Sequence, residues 1–201
     1  IVIQYGQVVK PVLCNLCPRK CNADRNEYEG NGFCKMPVNP VLARADIHKW
    51  EEPCISGENG TGAIFFSGCS LKCCFCQNYP ISHENKGEMI TTQRLVEIIK
   101  ELEEKGVHTI DFVNPTHFSH IIIDALKTYK PKVPVVYNSS GYDSVETLKQ
   151  LEGLVDIYLP DLKYFSSEKS QKYAKCPDYF DKASSAILEM YRQQPETVIE
   201  N

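Results

Sequence analysis

No stretch of this 201-residue chain is apolar for long enough to cross a membrane. Runs such as Ala63–Phe66 and Ile121–Ile123 fall far short of the ~20 residues that a spanning helix needs. Basic character is scarce too. Net charge is -4 and no long basic run appears, which makes nucleic acid and anionic membranes poor partners. The first ten residues, IVIQYGQVVK, lack a charged leader region and a cleavage site, so they do not read as a signal peptide. They also lack an initiator Met, as expected of a trimmed or incompletely represented chain. Tryptophan occurs once, at Trp50, and that residue needs no function.

Cysteine, by contrast, is abundant, with ten residues. A secreted disulfide scaffold would account for the number, but three features oppose it. Such scaffolds are shorter and denser in cysteine. The chain shows no export signal. Its cysteines bunch at metal-ligand spacings instead of spreading as staples. The expectation is metal-bound thiolates in a reducing compartment, hence a cytoplasmic protein.

Hydrophobic content of 42% and charged content of 24% are ordinary for a globular protein. The length suffices for one domain with a core and a small appendage. Residues 1–54 read as an irregular, cysteine-rich segment containing Cys14, Cys17, Cys21, Cys34 and Cys54. Residues 55–201 read differently. GAIFFSG has the pattern of a short buried strand. TTQRLVEIIKELEEKG predicts a helix capped by Thr91 or Thr92, striped by Leu95, Ile98, Ile99 and Leu102, and ended by Gly106. HTIDFV, VPVVYN and VDIYLPDLKY predict three more strands. IIIDALKTYK, DSVETLKQLEG and YFDKASSAILEMYRQQ predict the helices between and after them. In DSVETLKQLEG, Asp143 and Glu146 stand at capping-box spacing.

Strand and helix therefore alternate four times, which indicates an α/β fold with a parallel sheet. Right-handed crossovers put every strand's C-terminal end on one face, and in barrel-type folds that face carries the chemistry. The residues just past the strands are Gly68 and Cys69, then Asn114-Pro115-Thr116, then Asn138-Ser139-Ser140-Gly141, then Asp161 and Lys163. Four strands cannot close a barrel. Either the sheet is open or further βα units are absent from this chain, and the expected fold is a partial (β/α) TIM-type barrel with its C-terminal units missing.

The densest cysteine group is SGCSLKCCFCQN, residues 67–78. Cys69-x3-Cys73-x2-Cys76 places three thiolates in one tight loop, and their mutual repulsion calls for a strongly positive centre. Soft sulfur ligands select zinc, copper(I) or iron–sulfur clusters. A structural zinc closes with four ligands, and Cys74 or His83 could supply the fourth. Cys74 adjoins Cys73, however, and consecutive side chains point in different directions. A cubane cluster held by three cysteines is the other solution, and it leaves one iron open.

GCSLKCCFCQN resembles the C-x3-C-x2-C motif of the radical S-adenosylmethionine superfamily, including the aromatic Phe75 before the last cysteine. The resemblance implies a [4Fe–4S] cluster on Cys69, Cys73 and Cys76. It also implies S-adenosylmethionine on the open iron, cleaved reductively to a 5′-deoxyadenosyl radical, with flavodoxin or ferredoxin as low-potential electron donor. Residues 133–164 are similar to pyruvate formate-lyase activating enzymes, which implies a glycyl radical enzyme as partner. By that match Asn138 and Ser140 would lie near the ribose or methionine portion of the cofactor. Asp161 and Lys163 would meet its amino and carboxylate groups, a pairing of opposite charges. Where the family carries a glycine-rich GGE, this chain has VNPTHF, so Asn114 and Thr116, with His117, stand in its place.

Cys14-x2-Cys17-x3-Cys21, followed by Cys34, forms a second set. CNLCPRKC with GFC is similar to the N-terminal segment of a subgroup of activating-enzyme-like radical proteins. Four such thiolates can close a zinc tetrahedron or hold an auxiliary iron–sulfur cluster, with a zinc knot the simpler reading. Cys54 and Cys176 read as buried free thiols. His117 and His120 are weak candidates, and Tyr137, Tyr142, Tyr158 and Tyr164 read as packing residues. The competing reading of the whole is a non-catalytic zinc protein or iron–sulfur electron carrier.

Overall fold

The computed structural model describes residues 13–196 and, before them, a short antiparallel pair, β1 (Ile3–Gln4) and β2 (Gln7–Val8). Most of the IVIQYGQVVK stretch, on which the signal-peptide reading rests, lies outside the described residues. The main sheet has six strands: β3 (Val41–His48), β4 (Thr61–Phe66), β5 (Glu88–Met89), β6 (Ile110–Val113), β7 (Val135–Ser139) and β8 (Ile157–Pro160). Their order is β5-β3-β4-β6-β7-β8, an open sheet with two edges. β4, β6, β7 and β8 run parallel, while β3 is antiparallel to both β4 and β5.

The helices are α1 (Pro53–Ser56), α2 (Tyr79–Ser82), α3 (Thr92–Glu104), α4 (Ser119–Thr128), α5 (Val145–Gln150), α6 (Ser167–Ala174) and α7 (Tyr179–Gln193). Thr91 caps α3 by accepting the Arg94 N–H at 3.1 Å, and Leu95, Ile98, Ile99 and Leu102 are buried along it. The strand period of two supplies the facing surface. Ile110 and Phe112 of β6, and Val135 and Tyr137 of β7, point into the helix-side core with Phe66 and Phe118. Each such buried side chain contributes roughly 1.5–3 kcal/mol. The alternate residues, among them Phe65, Val113 and Asn138, face the other way and line a cleft.

The structure departs from the sequence reading in several places, and Cys54, expected to be buried, is exposed because it sits on the short surface helix α1. The segment read as irregular contains β3, an eight-residue strand of the main sheet. Its burial pattern is mixed, so period two is blurred and the strand was not signalled. The cap of α5 is Ser144, whose hydroxyl accepts from the Thr147 N–H. Asp143 is instead buried, accepting hydrogen bonds from the Tyr137 hydroxyl at 3.0 Å and the Ser139 hydroxyl at 2.6 Å. α6 was also not foreseen, because it buries only Ser170 and Ala174 and so has almost no apolar stripe.

Candidate functional site

β4 runs into the loop that carries the dense cysteine group. Gly68 has φ +78°, and a Cβ there would lie 2.5 Å from Met36 Cγ, so the turn and the close approach both require glycine. Asn114 donates to the Gly68 carbonyl at 2.6 Å, and His117 Nε2 contacts the Ser67 carbonyl at 2.6 Å. The loop then folds back on itself. The Leu71 and Lys72 N–H groups donate to Cys69 Sγ at 3.3 and 3.5 Å. The Cys76 N–H donates to the Cys73 carbonyl at 3.0 Å.

Cys69, Cys73 and Cys76 all line the cleft, which has a volume of about 380 Å³, within the range of small-molecule sites. Cys74 is exposed and lines no part of it. Its N–H donates to the Tyr173 carbonyl at 2.9 Å. His83 is engaged through both ring nitrogens, with Ser82 Oγ at 2.8 Å and the Lys72 carbonyl at 3.1 Å. Neither residue is placed as a fourth ligand. Among the described residues, no three Cys, His, Asp or Glu side chains are drawn together as ligands of one metal ion.

The other strand ends complete the cleft. Asn114, Asn138, Ser139, Ser140, Asp161 and Lys163 line it with the three cysteines. Lys163 Nζ and Asp161 Oδ2 are 2.5 Å apart, so these two side chains pair with each other across the cleft wall. Thr116 and His117 are the exceptions among the expected site residues, and His117 lies instead against the N-terminal cysteines. Thr116 is buried beside Tyr137 and Asp143 and does not line the cleft, because the short 3-10 turn Thr116–Phe118 rotates it inward.

Tyr179, which the sequence did not single out, and Gly141, named only as part of a strand end, hold these loops together. Tyr179 of α7 accepts the Lys163 N–H at 2.9 Å, and its hydroxyl reaches the Ser140 carbonyl at 2.7 Å and the Asp161 carbonyl at 3.1 Å. Gly141, at φ +74°, lets the loops approach, since a Cβ would stand 2.2 Å from the Asp161 carbonyl oxygen. Deeper on the same face lies Asp111, fully buried on β6. Asn138 Nδ2 reaches both Asp111 Oδ2 and Glu51 Oε1 at 3.3 Å. Burial, and then Glu51 and Glu52 nearby, push the Asp111 carboxyl up to about 7, against the Asn138 hydrogen bond.

Burial also raises the Cys69 and Cys73 thiols. It is opposed at Cys69 by the two N–H donors and at Cys73 by the Tyr164 hydroxyl and then by the Lys163 charge. Buried thiolates of this kind call for a cationic centre.

Behind the loop lies the second cysteine set. Cys14, Cys17, Cys21 and Cys34 line one small enclosed pocket with His117. Burial pushes the Cys17 thiol up to about 12, with the other three cysteines adding to the rise. Arg25 donates to Cys14 Sγ at 3.4 Å and to the His117 carbonyl at 2.9 Å. Arg19 donates to the carbonyls of Ser70, Lys175 and Ala174 at 2.6, 2.8 and 2.9 Å. The segment is thereby fastened to the cysteine loop and to the end of α6. Burial lowers His117 to about 3 and His120 to about 4, which leaves both neutral.

The family model of the Radical SAM superfamily matches residues 63–197. Among curated proteins, the chain is similar to the uncharacterized protein MJ0674 of Methanocaldococcus jannaschii. The two are 30% identical over 177 residues, 84% of this chain and 50% of that protein. The chain therefore spans about half the length of the curated relative it matches.

Proposed function

The chain belongs to the Radical SAM superfamily, and on that premise we propose that its cleft binds a [4Fe–4S] cluster and S-adenosylmethionine to generate a radical. The observation that carries the proposal is that one cleft collects Cys69, Cys73, Cys76, Asp161 and Lys163 from distant parts of the chain. The residues present fit both groups. Three cysteine sulfurs are soft donors, the fourth nearby cysteine is turned out, and the mouth carries one residue of each charge for an amino acid zwitterion.

When bound, the cluster supplies one electron to the sulfonium, giving methionine and a 5′-deoxyadenosyl radical. The protein's own residues do the holding. Cys69, Cys73 and Cys76 ligate, while the Leu71 and Lys72 N–H groups stabilise the thiolate of Cys69. Lys163 and Asp161 exchange their mutual ion pair for the cofactor's carboxylate and ammonium. Asn138 and Ser140 face the ribose or methionine portion, and Asn114 fixes the loop through Gly68. Tyr179 sets the spacing of the last two loops.

As the finer reading, we propose that the complete protein activates a glycyl radical enzyme, supported by the similarity of residues 133–164 to pyruvate formate-lyase activating enzymes. In that role it draws electrons from flavodoxin or ferredoxin in the cytoplasm. The second cysteine set, whose thiols line one pocket without being drawn together around a single ion, is proposed to hold a thiolate-ligated centre, zinc or an auxiliary iron–sulfur cluster, that would organise the N-terminal segment.

Anaerobic reconstitution should load about four irons and four sulfides at the triad. With S-adenosylmethionine and a strong reductant, 5′-deoxyadenosine should form. Cys73→Ala should abolish both, and Cys74→Ala neither. A cluster-loaded full-length protein that never cleaves the cofactor would refute the radical reading. Zinc or further iron that disappears in Cys17→Ala would support the second centre, and its absence from the wild type would dismiss it.

A further inference from the structure

We infer that the Tyr164 hydroxyl tunes the reduction potential of the centre on Cys69, Cys73 and Cys76, acting as a positioning residue through the Cys73 sulfur. The inference rests on the proposed reading of those cysteines as cluster ligands. Tyr164 donates to Cys73 Sγ at 3.1 Å, across 91 residues of sequence. Both residues are buried, Tyr164 at 8% exposure and Cys73 at 7%. The Tyr164 ring is held on two sides. Tyr179 meets it edge to face at 5.2 Å and 88°, and Phe75, within the cysteine loop, at 6.3 Å and 63°. The hydroxyl is thus pinned on the sulfur by rings from α7 and from the loop itself.

Cys69 differs. Its sulfur is met by two backbone N–H groups of its own loop, which no side-chain substitution removes. Tyr164 addresses a sulfur of the triad with a side chain, one residue beyond Lys163. One-electron reduction adds negative charge that the thiolate sulfurs share, while no bond forms or breaks. A donor on sulfur stabilises that added charge, so the reduced form gains more than the oxidised form. Hydrogen bonds to sulfur and solvent exposure are levers on such potentials, and low local dielectric enlarges the effect. Tyr164 therefore raises the potential toward what an external one-electron donor can reach.

The test is an anaerobic redox titration of the reconstituted full-length protein, followed by electron paramagnetic resonance, with a chemical reductant supplying the electron. The triad signal is assigned by its loss in Cys76→Ala. Tyr164→Phe keeps the ring and removes only the hydroxyl, and its midpoint should move to more negative potential at unchanged iron content. If that variant fails to load, 3-fluorotyrosine placed at position 164 decides instead, because its stronger donor should move the midpoint upward. An unchanged midpoint in a fully loaded protein overturns the role of Tyr164 and leaves the cluster reading standing. A wild-type protein with no signal that depends on Cys76 overturns both.

Discussion

Asp111 carries a buried proton whose cost can be measured. Its carboxyl is fully buried on β6, Oδ2 is held by Asn138 at 3.3 Å, and Oδ1 has no partner among the described residues. Moving its pKa from 3.8 to about 7 corresponds to about 4 kcal/mol, at about 1.36 kcal/mol per pH unit. The folded state binds the proton more tightly than the unfolded chain. Between about pH 4 and pH 7 the folded state therefore holds more protons, and stability falls as pH rises through that window. Asp111→Asn is nearly isosteric and has nothing to ionise. Its stability relative to wild type should climb between pH 4.5 and pH 8 by about 3 kcal/mol, most of the full penalty. Urea unfolding of both proteins at several pH values measures this, and titrations common to the two, such as those of His117 and His120, cancel in the difference. A difference that stays flat across the range would refute the reasoning, because it would mean that Asp111 ionises in the fold without penalty.

Gly141→Ala forces a Cβ toward the Asp161 carbonyl at a positive φ, so calorimetry should show S-adenosylmethionine binding weakened at least tenfold while circular dichroism still reports a folded protein. Arg19→Ala leaves three carbonyls without their donor and should cost about 2–4 kcal/mol, with hydrogen exchange accelerating at residues 69–72 and 173–176. His117 is held neutral in the fold, down to about 3, chiefly by burial. Below pH ~6.5 the unfolded chain takes up a proton that the fold refuses, so stability is lost as pH falls toward 3. His117→Gln should flatten that acid limb in melting curves recorded from pH 7 to pH 4.

The parallel strands and the helices packed on them were legible because each repeats an apolar pattern of its own, as α3 does with Leu95, Ile98, Ile99 and Leu102. β3 was not, because half-buried residues alternate poorly along it. Asp143 mimicked a cap by spacing, but the neighbouring Ser144 takes that role while Asp143 turns inward to Tyr137 and Ser139. Thr116 sat next to the rim in sequence, and a single turn of 3-10 helix carried it out of reach.

The sequence by itself determined the local grouping of the thiols. Spacing puts Cys69, Cys73 and Cys76 in one loop, and adjacency to Cys73 sets Cys74 apart from them. Tertiary structure decided what surrounds them. The hydroxyl on Cys73 and the arginine that ties the N-terminal segment to Ser70 and Lys175 join residues 51 to 156 positions apart. No local pattern encodes such contacts. They exist because parallel strands deliver their C-terminal ends to one face, and only packing fixes which side chains meet there.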